Sequence, residues 1–365
     1  MSRRIADLIG KNVVAYGAGS AFHWFFEIFV QEWGVRPLLV VDQRFAERDV
    51  FHGFPASHSL YVIDPKSRRD ITIVICVGNR SVCENICADL SALGFSSAFA
   101  LHEFYDVHAP FPELAASLSA HAHQIQEARS LFSDELSLSI FDGLVAAHTH
   151  LVPTQLQSSD AWDQWFPKDL PFFPAFDRYL FAGVDDDNDR LRRLEELDVR
   201  HLTLLEPDEL CAAAFLRRLR ELPQLTSRSV FRQVALWSRD GRMNFHSVNS
   251  AANLALRGHE TGFGSRIKPE GVSVVETVTI DTLMPEDGYT YISLDIEGAE
   301  LHALKGAQSA IKFNAPDLGI SVYHAPQHLL EVPLYLKSLC PSYKMYLRNY
   351  TGFAAETILY ASVRA

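Results

Sequence analysis

Short apolar runs alternate with helical stretches through the first hundred residues of the chain. The pattern predicts buried strands at residues 12–16, 37–42, 71–78 and 96–101, and an aromatic-rich helix at 21–33. Apolar strands that alternate with helices are typical of a parallel sheet with both faces covered. We therefore assign residues 1–107 to an α/β domain.

The pattern changes at Pro110 and Pro112. Residues 113–132 are rich in Ala, Leu, Gln and Glu, which favour helices, and the next three residues, Ser-Asp-Glu, are typical of a helix start. We therefore assign residues 108–170 to a helical connector and lid.

Apolar strands return in residues 171–365, which are predicted to form a second α/β domain. The strand at 290–294 runs directly into Asp295, Glu297 and Glu300. Acids this close repel one another and lose solvation unless a ligand or a partner uses them. Ligands bind at the carboxyl ends of strands in open α/β sheets, so this junction is predicted to be a functional site.

The stretch from Leu294 to Ala307, LDIEGAELHALKGA, resembles the signature of the FkbM family of S-adenosylmethionine-dependent O-methyltransferases. The resemblance covers roughly residues 125 to 365. It continues at residues 204–208, the acidic end of the second strand, and at residues 316–324, a later strand with its terminal His. It ends in a closing hairpin formed by residues 346–350 and 356–361. It implies a class I methyltransferase domain, which has a seven-stranded sheet with a reversed hairpin at its edge. It also implies S-adenosylmethionine as cofactor and a hydroxyl as methyl acceptor.

The resemblance further implies which residues bind the cofactor. Gly183 and Asp187 follow the first strand, and Glu206 is expected to bind the ribose hydroxyls. Ala235 lies where the third strand, residues 233–236, ends near the adenine, and Asp295 is the last of the set. The loop after the first strand departs from the family pattern, because Ala182 replaces an Asp and Val184 and Asn188 replace glycines. Since a cofactor lies against bare backbone at glycines, Val184 is expected to stand at the cofactor surface and weaken binding.

Methyl transfer to a hydroxyl needs a group that takes the hydroxyl proton. Glu297 and His324 are the two candidates for this base, and Asp295 is expected to contact the cofactor or the acceptor. The strands that end before Asp295 and His324 should be parallel, so the three catalytic candidates are predicted to share one pocket. Metal assistance by these acids and His324 is the weaker alternative, and we assign no metal site. Arg348 is expected to neutralise the acids, to hold an anionic acceptor or to form a structural ion pair.

A second candidate site lies near the N-terminus. Gly17 and Gly19 follow the first strand and Asp42 follows the second, at the spacing of a Rossmann unit in which the acid binds a ribose hydroxyl. Phe22 stands in place of the third glycine of that fingerprint. This Rossmann-like pattern resembles the small nucleotide-binding domain that precedes sugar acyltransferases. Two alternatives stay open: a nucleotide or nucleotide-sugar pocket at these residues, or a scaffold that binds no nucleotide.

The composition narrows the classes of partner. A net charge of −12 argues against nucleic acid, and no apolar run is long enough to span a membrane. The five cysteines are scattered without metal-ligand spacing, so the chain is expected to work in a reducing, cytoplasmic compartment. The oligomeric state stays open, with a homo-oligomer among the alternatives.

The leading hypothesis is S-adenosylmethionine-dependent O-methylation of a small-molecule or glycan hydroxyl, most plausibly of a sugar precursor in polysaccharide biosynthesis. One alternative is a non-catalytic scaffold protein that keeps the methyltransferase fold after its cofactor loop has degenerated. Another is a nucleotide-sugar-modifying enzyme that uses the N-terminal domain. Binding of S-adenosylmethionine to the purified protein separates the first hypothesis from the other two.

Overall fold

The structure is a computed structural model. It describes residues 4–19, 21–22, 25–77, 80–104, 121–150, 156–160, 163–184, 188–197, 199–247, 265–269, 271, 273–352 and 355–365. The described strands form three sheets, of six, four and seven strands.

The N-terminal residues form the six-stranded sheet. Its strands are β1 Asn12–Tyr16, β2 Leu39–Val41, β3 Asp49–Phe51, β4 Phe54–Ser57, β5 Ile71–Ile75 and β6 Ser97–Ala100. The spatial order is β3-β4-β2-β1-β5-β6, and all neighbours are parallel except β3 and β4. The four predicted strands are present, whereas the hairpin of β3 and β4 was not predicted.

Helical elements cover this sheet on both faces. They are the 3₁₀ turns Ile5–Leu8, Leu60–Val62, Pro65–Asp70 and Leu101–Glu103, the π-helical segment Phe25–Glu32 and helix α1 Arg80–Ala92. Every residue of β5 is buried, and separate apolar clusters around Phe25 and Ile73 lie against the sheet. The parallel α/β arrangement predicted here is confirmed. The likeness to a nucleotide-binding domain stays a prediction.

The next two helices, α2 Ala122–Arg129 and α3 Glu135–His150, lie in the segment predicted as a connector and lid. They share one apolar cluster with the C-terminal sheet, in which Phe132 and Phe141 pack together with Leu347. The hydroxyl of Ser137 accepts a hydrogen bond from the N–H of Leu347 at 2.8 Å. These helices therefore pack against the C-terminal sheet, and the boundaries at residues 107 and 170 stay predictions.

The C-terminal residues contain eleven further described strands and six further helices. The strands are β7 Arg178–Ala182, β8 His201–Leu205, β9 Ser229–Arg232, β10 Ala235–Leu236, β11 Gly241–His246, β12 Arg266–Ile267, β13 Ser273–Val278, β14 Tyr291–Leu294, β15 Asp317–Ser321, β16 Lys344–Asn349 and β17 Thr357–Ser362. The helices are α4 Asn188–Glu196, α5 Glu209–Leu219, α6 Pro223–Ser227, α7 Ile280–Leu283, α8 Glu300–Lys305 and α9 His328–Leu339, with a π-helical segment at Ala310–Asn314.

The seven-stranded sheet has the order β16-β17-β15-β14-β7-β8-β9. Its strands are parallel except β17, which runs antiparallel to both β15 and β16. The inner strands β14, β15 and β17 are buried at every residue, as expected for a sheet with both faces covered. The predicted class I methyltransferase sheet, with its reversed edge hairpin, is confirmed.

One predicted strand is wrong. The third strand of the seven-stranded sheet is β9, residues 229–232, and not residues 233–236 as predicted. Ala235 and Leu236 form β10, which pairs with β13 in the four-stranded sheet. The resemblance had placed the third strand at residues 233–236. Ala235 and Leu236 are buried there, whereas β9 is an edge strand whose residues are half-buried or exposed.

Candidate active site

The loop after β14 is held by the side chain of Glu300. This residue is fully buried at the start of α8, and its Oε1 accepts hydrogen bonds from the N–H groups of Ile296 (3.0 Å) and Gly298 (3.3 Å). Between them Glu297 has a φ of 55°, a left-handed conformation that costs a non-glycine residue about 1–3 kcal/mol. Glu300 therefore fixes the loop that carries Asp295 and Glu297.

His324 follows β15 and lies among these acids. Its Nδ1 is 2.8 Å from Oε1 of Glu300, and its Nε2 is 3.5 Å from Oδ1 of Asp295 and 3.8 Å from Oε2 of Glu297. On the other side of Glu300, Nδ1 of His328 is 3.2 Å from Oε2. The structure thus brings together the three side chains predicted to share a pocket.

The acids determine the charge of His324. Burial disfavours a charged imidazole, but the charges of Glu300 and Glu297 outweigh it and raise the pKa of His324 to about 10. Burial also disfavours the carboxylate of Glu300, yet the two histidines hold its pKa below its usual range. His324 is therefore an imidazolium at neutral pH. An imidazolium has no lone pair to accept a proton. The base role predicted as one alternative for His324 therefore does not fit its protonated state.

Asp295 is positioned by the neighbouring strand. Its Oδ1 accepts hydrogen bonds from the hydroxyls of Ser321 (2.7 Å) and Tyr323 (3.3 Å). The Asp295 side chain is 19% exposed, so a ligand at the sheet edge can reach it. Ser321 and Tyr323 were not predicted as site residues, although their place at the end of a strand parallel to β14 is the signal that indicates them.

Glu356 was also missed as a site residue. It precedes β17, its Oε1 lies 3.3 Å from the hydroxyl of Tyr323, and its Oε2 accepts a hydrogen bond of 2.7 Å from the amide of Gln164. In the sequence, Glu356 was predicted only as part of the closing hairpin. Because β17 is antiparallel, its first residue lies at the sheet edge where β14 and β15 end.

Gly183, predicted to bind the cofactor, has a structural reason to be glycine. Its φ is 81°, and a Cβ at this position would stand 1.7 Å from the carbonyl oxygen of Asp295. The N–H of Gly183 donates to the carbonyl of Leu205 at 3.1 Å. The loops after β7 and β14 therefore touch through their backbones at this glycine.

The expectation for Val184 is wrong. Its side chain is 2% exposed and packs with Phe181 and Leu191 in the apolar cluster on one face of the sheet. It therefore fills the core and does not stand at a cofactor surface. The following residue of the predicted cofactor site, Asp187, lies outside the described residues.

Glu206 ends β8, as predicted. It is buried, and its Oε1 accepts a hydrogen bond of 2.8 Å from the N–H of Asp208. Asp208 in turn caps α5 by accepting from the N–H groups of Leu210 (3.1 Å) and Cys211 (3.2 Å). Ala235, the predicted adenine contact, is buried in β10 opposite Thr277 and is not the exit of the third strand.

Arg348 forms structural ion pairs. Its guanidinium is 2% exposed and binds Asp169 through Nε and Asp134 through Nη2, at 2.7 Å in the second case. It also contacts the hydroxyl of Ser137. Of the three alternatives considered for Arg348, the ion pair is therefore the one that the structure contains.

The N-terminal candidate residues lie together at the ends of β1 and β2. One carboxylate oxygen of Asp42 accepts the N–H of Ala18 at 2.8 Å, and the other binds Nε of Arg44 at 3.0 Å. Burial raises the pKa of Asp42, but these hydrogen bonds outweigh it, so the net pKa is lowered. Gly17 has a φ of 102° and a Cβ there would stand 2.6 Å from the Cys76 carbonyl, whereas Gly19 borders open space. Nucleotide binding at these residues stays a prediction.

Among the residues that the structure describes, no group of three or more His, Cys, Asp or Glu side chains has an arrangement that holds a metal ion. No helix in this same part of the chain has both the length and the apolar character needed to cross a membrane.

The site lies on a class I methyltransferase fold, and comparisons with known proteins agree with it. The model of the family described as the Methyltransferase FkbM domain matches residues 190–344. The crystal structure of Methyltransferase FkbM from Methylobacillus flagellatus KT is similar, with a TM-score of 0.63 and 18% sequence identity over 98% of this chain and 92% of that chain. The methyltransferase domain of bacterial-CtHen1-C gives a TM-score of 0.29 at 9% identity, over 51% of this chain and 89% of that domain, which is too low to carry an argument. Among curated proteins no match was found.

The matched residues 190–344 include the acid cluster and the strands β8, β9, β14 and β15. The comparisons therefore show a match to the Methyltransferase FkbM domain over less than half of the chain, on a methyltransferase-like α/β fold.

Proposed function

We propose that this chain transfers a methyl group from S-adenosylmethionine to a hydroxyl. The observation that carries the proposal is the placement of two carboxylates. Glu206 follows β8 and Asp295 follows β14, the strands on either side of β7. The two acids therefore flank the loop that begins at Gly183, at the sheet edge where ligands of open α/β folds bind.

The residues present fit this cofactor chemically. Carboxylates accept hydrogen bonds from hydroxyls and attract cations, so Glu206 suits the ribose hydroxyls and Asp295 suits the ammonium group. When bound, S-adenosylmethionine supplies an electrophilic methyl group. Asp187 remains a proposed partner of the ammonium group. In this proposal Gly183 lets the loops after β7 and β14 approach each other. A contact of Ala235 with the adenine has less support, because β10 lies in the four-stranded sheet.

His324 has a different part in this proposal from the one expected. As an imidazolium it balances the charges of Glu300, Glu297 and Asp295 and keeps their carboxylates close together. Oε2 of Glu297 lies 3.8 Å from Nε2 of this imidazolium and is one of the carboxylates whose charge it balances.

A sugar or glycan precursor is the acceptor that we propose. Its support is the N-terminal likeness to modules of sugar acyltransferases, which is an association and not a contact in the site. The scaffold alternative and the nucleotide-sugar alternative make different predictions for the same experiment.

The test is calorimetric titration of the full chain with S-adenosylmethionine and with S-adenosylhomocysteine. Glu206→Gln is the site variant, and Glu209→Gln, at an exposed residue of the next helix, is the matched control. Radiolabelled methyl transfer is then measured with methyl glycosides and with nucleotide sugars. Binding that only Glu206→Gln weakens, together with a labelled glycoside, supports the proposal. Absence of binding contradicts it, and binding without transfer to any hydroxyl compound favours the scaffold.

A further inference from the structure

Three elements bring polar groups to one point at the sheet edge. The hydroxyl of Tyr323 lies 3.3 Å from Oδ1 of Asp295 and 3.3 Å from Oε1 of Glu356. A phenol has one proton, so it donates to only one of these carboxylates at a time. A second hydroxyl at this point would donate to the carboxylate oxygen that does not receive the Tyr323 proton.

The backbone holds Glu356 in an unfavourable conformation. Its φ is 49°, a left-handed value that a non-glycine residue adopts at a cost of about 1–3 kcal/mol. Its carbonyl accepts the N–H of Tyr350 at 3.0 Å, and the amide of Gln164 binds Oε2 at 2.7 Å. The fold thus fixes one oxygen of Glu356 and leaves Oε1 beside Tyr323 and Asp295.

We propose that Glu356 is the group that accepts the proton of the acceptor hydroxyl, with Tyr323 as the residue that positions it. This inference rests on the proposed function. In the balanced step, the acceptor oxygen forms a bond to the methyl carbon of S-adenosylmethionine, the carbon–sulfur bond breaks with its electron pair left on sulfur, and the hydroxyl proton passes to Oε1 of Glu356.

The surroundings of Glu356 support this role. Burial, and after it the charge of Asp295, raises the pKa of Glu356 to about 7, while the Gln164 hydrogen bond and the charges of His324 and Arg190 act in the opposite direction. The groups that face it are Asp295 from β14, Tyr323 and His324 from β15, Arg190 from α4, and Gln164. A base with a pKa near the working pH combines a large ionised fraction with a strong tendency to take up a proton.

A base at this position affects the binding of S-adenosylmethionine even when no methyl transfer takes place. A group that takes the proton of the reacting hydroxyl lies within about two hydrogen-bond lengths of the methyl group. The positive sulfonium of S-adenosylmethionine then favours the carboxylate form of Glu356, whereas neutral S-adenosylhomocysteine does not. Only the first compound is expected to release the proton of Glu356 when it binds.

The experiment measures proton release by calorimetry at pH 7 in buffers of different ionisation enthalpy. With wild type we expect S-adenosylmethionine to release more protons than S-adenosylhomocysteine, because burial and the charge of Asp295 raise the pKa of Glu356 to about 7 and leave part of the population protonated at this pH. Glu356→Gln should remove the difference and keep the affinity for S-adenosylhomocysteine within about threefold. Glu297→Gln is the matched variant and should keep the difference.

Three results would overturn the inference. They are an equal proton release for the two compounds in wild type, a difference that persists in Glu356→Gln, and a difference that Glu297→Gln removes instead. If neither compound binds wild type, the proposed function fails first and the inference fails with it. For a hydroxyl compound that wild type methylates, Glu356→Gln should lower kcat about 100-fold or more and change KM little, and Tyr323→Phe should lower kcat less.

Discussion

Nδ1 of His324 lies 2.8 Å from Oε1 of Glu300, and this contact joins the ends of β14 and β15. Glu300 is fully buried, and the same oxygen accepts the N–H groups of the loop that carries Asp295. One ion pair therefore fixes the two strand exits that form the acid cluster. Its strength depends on a protonated His324.

We expect this ion pair to make stability depend on pH. The folded pKa of His324, about 10, lies above its value of 6.5 in an unfolded chain. The stabilisation is therefore complete below pH 6.5 and is lost as the pH rises towards 10, by up to about 1.4 kcal/mol per pH unit. Urea unfolding of wild type and His324→Gln between pH 6 and 10.5 measures it. The exposed His58→Gln is the control, and an unchanged gap between wild type and His324→Gln at all pH values would contradict a raised pKa.

Glu206→Ala should lower the affinity for S-adenosylhomocysteine by roughly 1.5–3 kcal/mol, the value of charge-assisted hydrogen bonds to a diol. Glu206→Gln keeps an oxygen for the N–H of Asp208, so it separates loss of the ligand contact from loss of the local turn. Calorimetry gives the affinity and circular dichroism checks the fold. An unchanged affinity in a folded Glu206→Ala protein would remove Glu206 from the site.

Gly183→Ala should destabilise the fold by at least about 2 kcal/mol, because its methyl group overlaps the carbonyl oxygen of Asp295 and its φ is left-handed. Gly19→Ala is the matched control, since a Cβ there meets open space, and it should change stability by less than about 0.5 kcal/mol. Urea unfolding compares the two. Equal effects would mean that the two loops do not touch at Gly183.

Val184→Gly tests whether Val184 belongs to the core or to a cofactor surface. Loss of a buried branched side chain and the added freedom of glycine should together cost about 2–3 kcal/mol of stability. The affinity for S-adenosylmethionine should not improve. Tighter binding with unchanged stability would instead favour the original expectation that Val184 obstructs the cofactor.

Arg348→Met should cost about 1.5–3 kcal/mol, because it removes the charge-assisted hydrogen bonds of a buried guanidinium to Asp134 and Asp169. Arg348→Lys should recover only part of this loss, since an ammonium group does not reproduce two guanidinium contacts in different directions. The exposed ion pair of Arg129 with Asp142 is the control, and Arg129→Met should have a much smaller effect. Affinity for S-adenosylhomocysteine in the folded fraction should remain that of wild type, as expected for a residue outside the site.

The pattern of apolar runs determined the order of the main strands, because strands buried on both faces leave continuous apolar segments. It also placed Asp295 and His324 on one edge, since parallel strands in one sheet end on the same side. The pattern failed at the short strands β3 and β4, and the resemblance misplaced the third strand, which is the half-exposed edge strand β9. β3 and β9 contribute little burial of their own, and β9 forms through pairing with β8, more than twenty residues earlier in the chain.

The tertiary structure decided which acids lie together and which of them are paired with a cation. Nothing in the sequence near Glu300 shows that it is buried against two histidines, or that His324 is therefore charged. Glu356 lies at the site because the antiparallel strand β17 begins where the parallel strands β14 and β15 end. Val184 lies outside it because its side chain packs in the core. Spacing along the chain specifies the backbone path, whereas the protonation state of a side chain depends on the charges and solvent that the fold places around it.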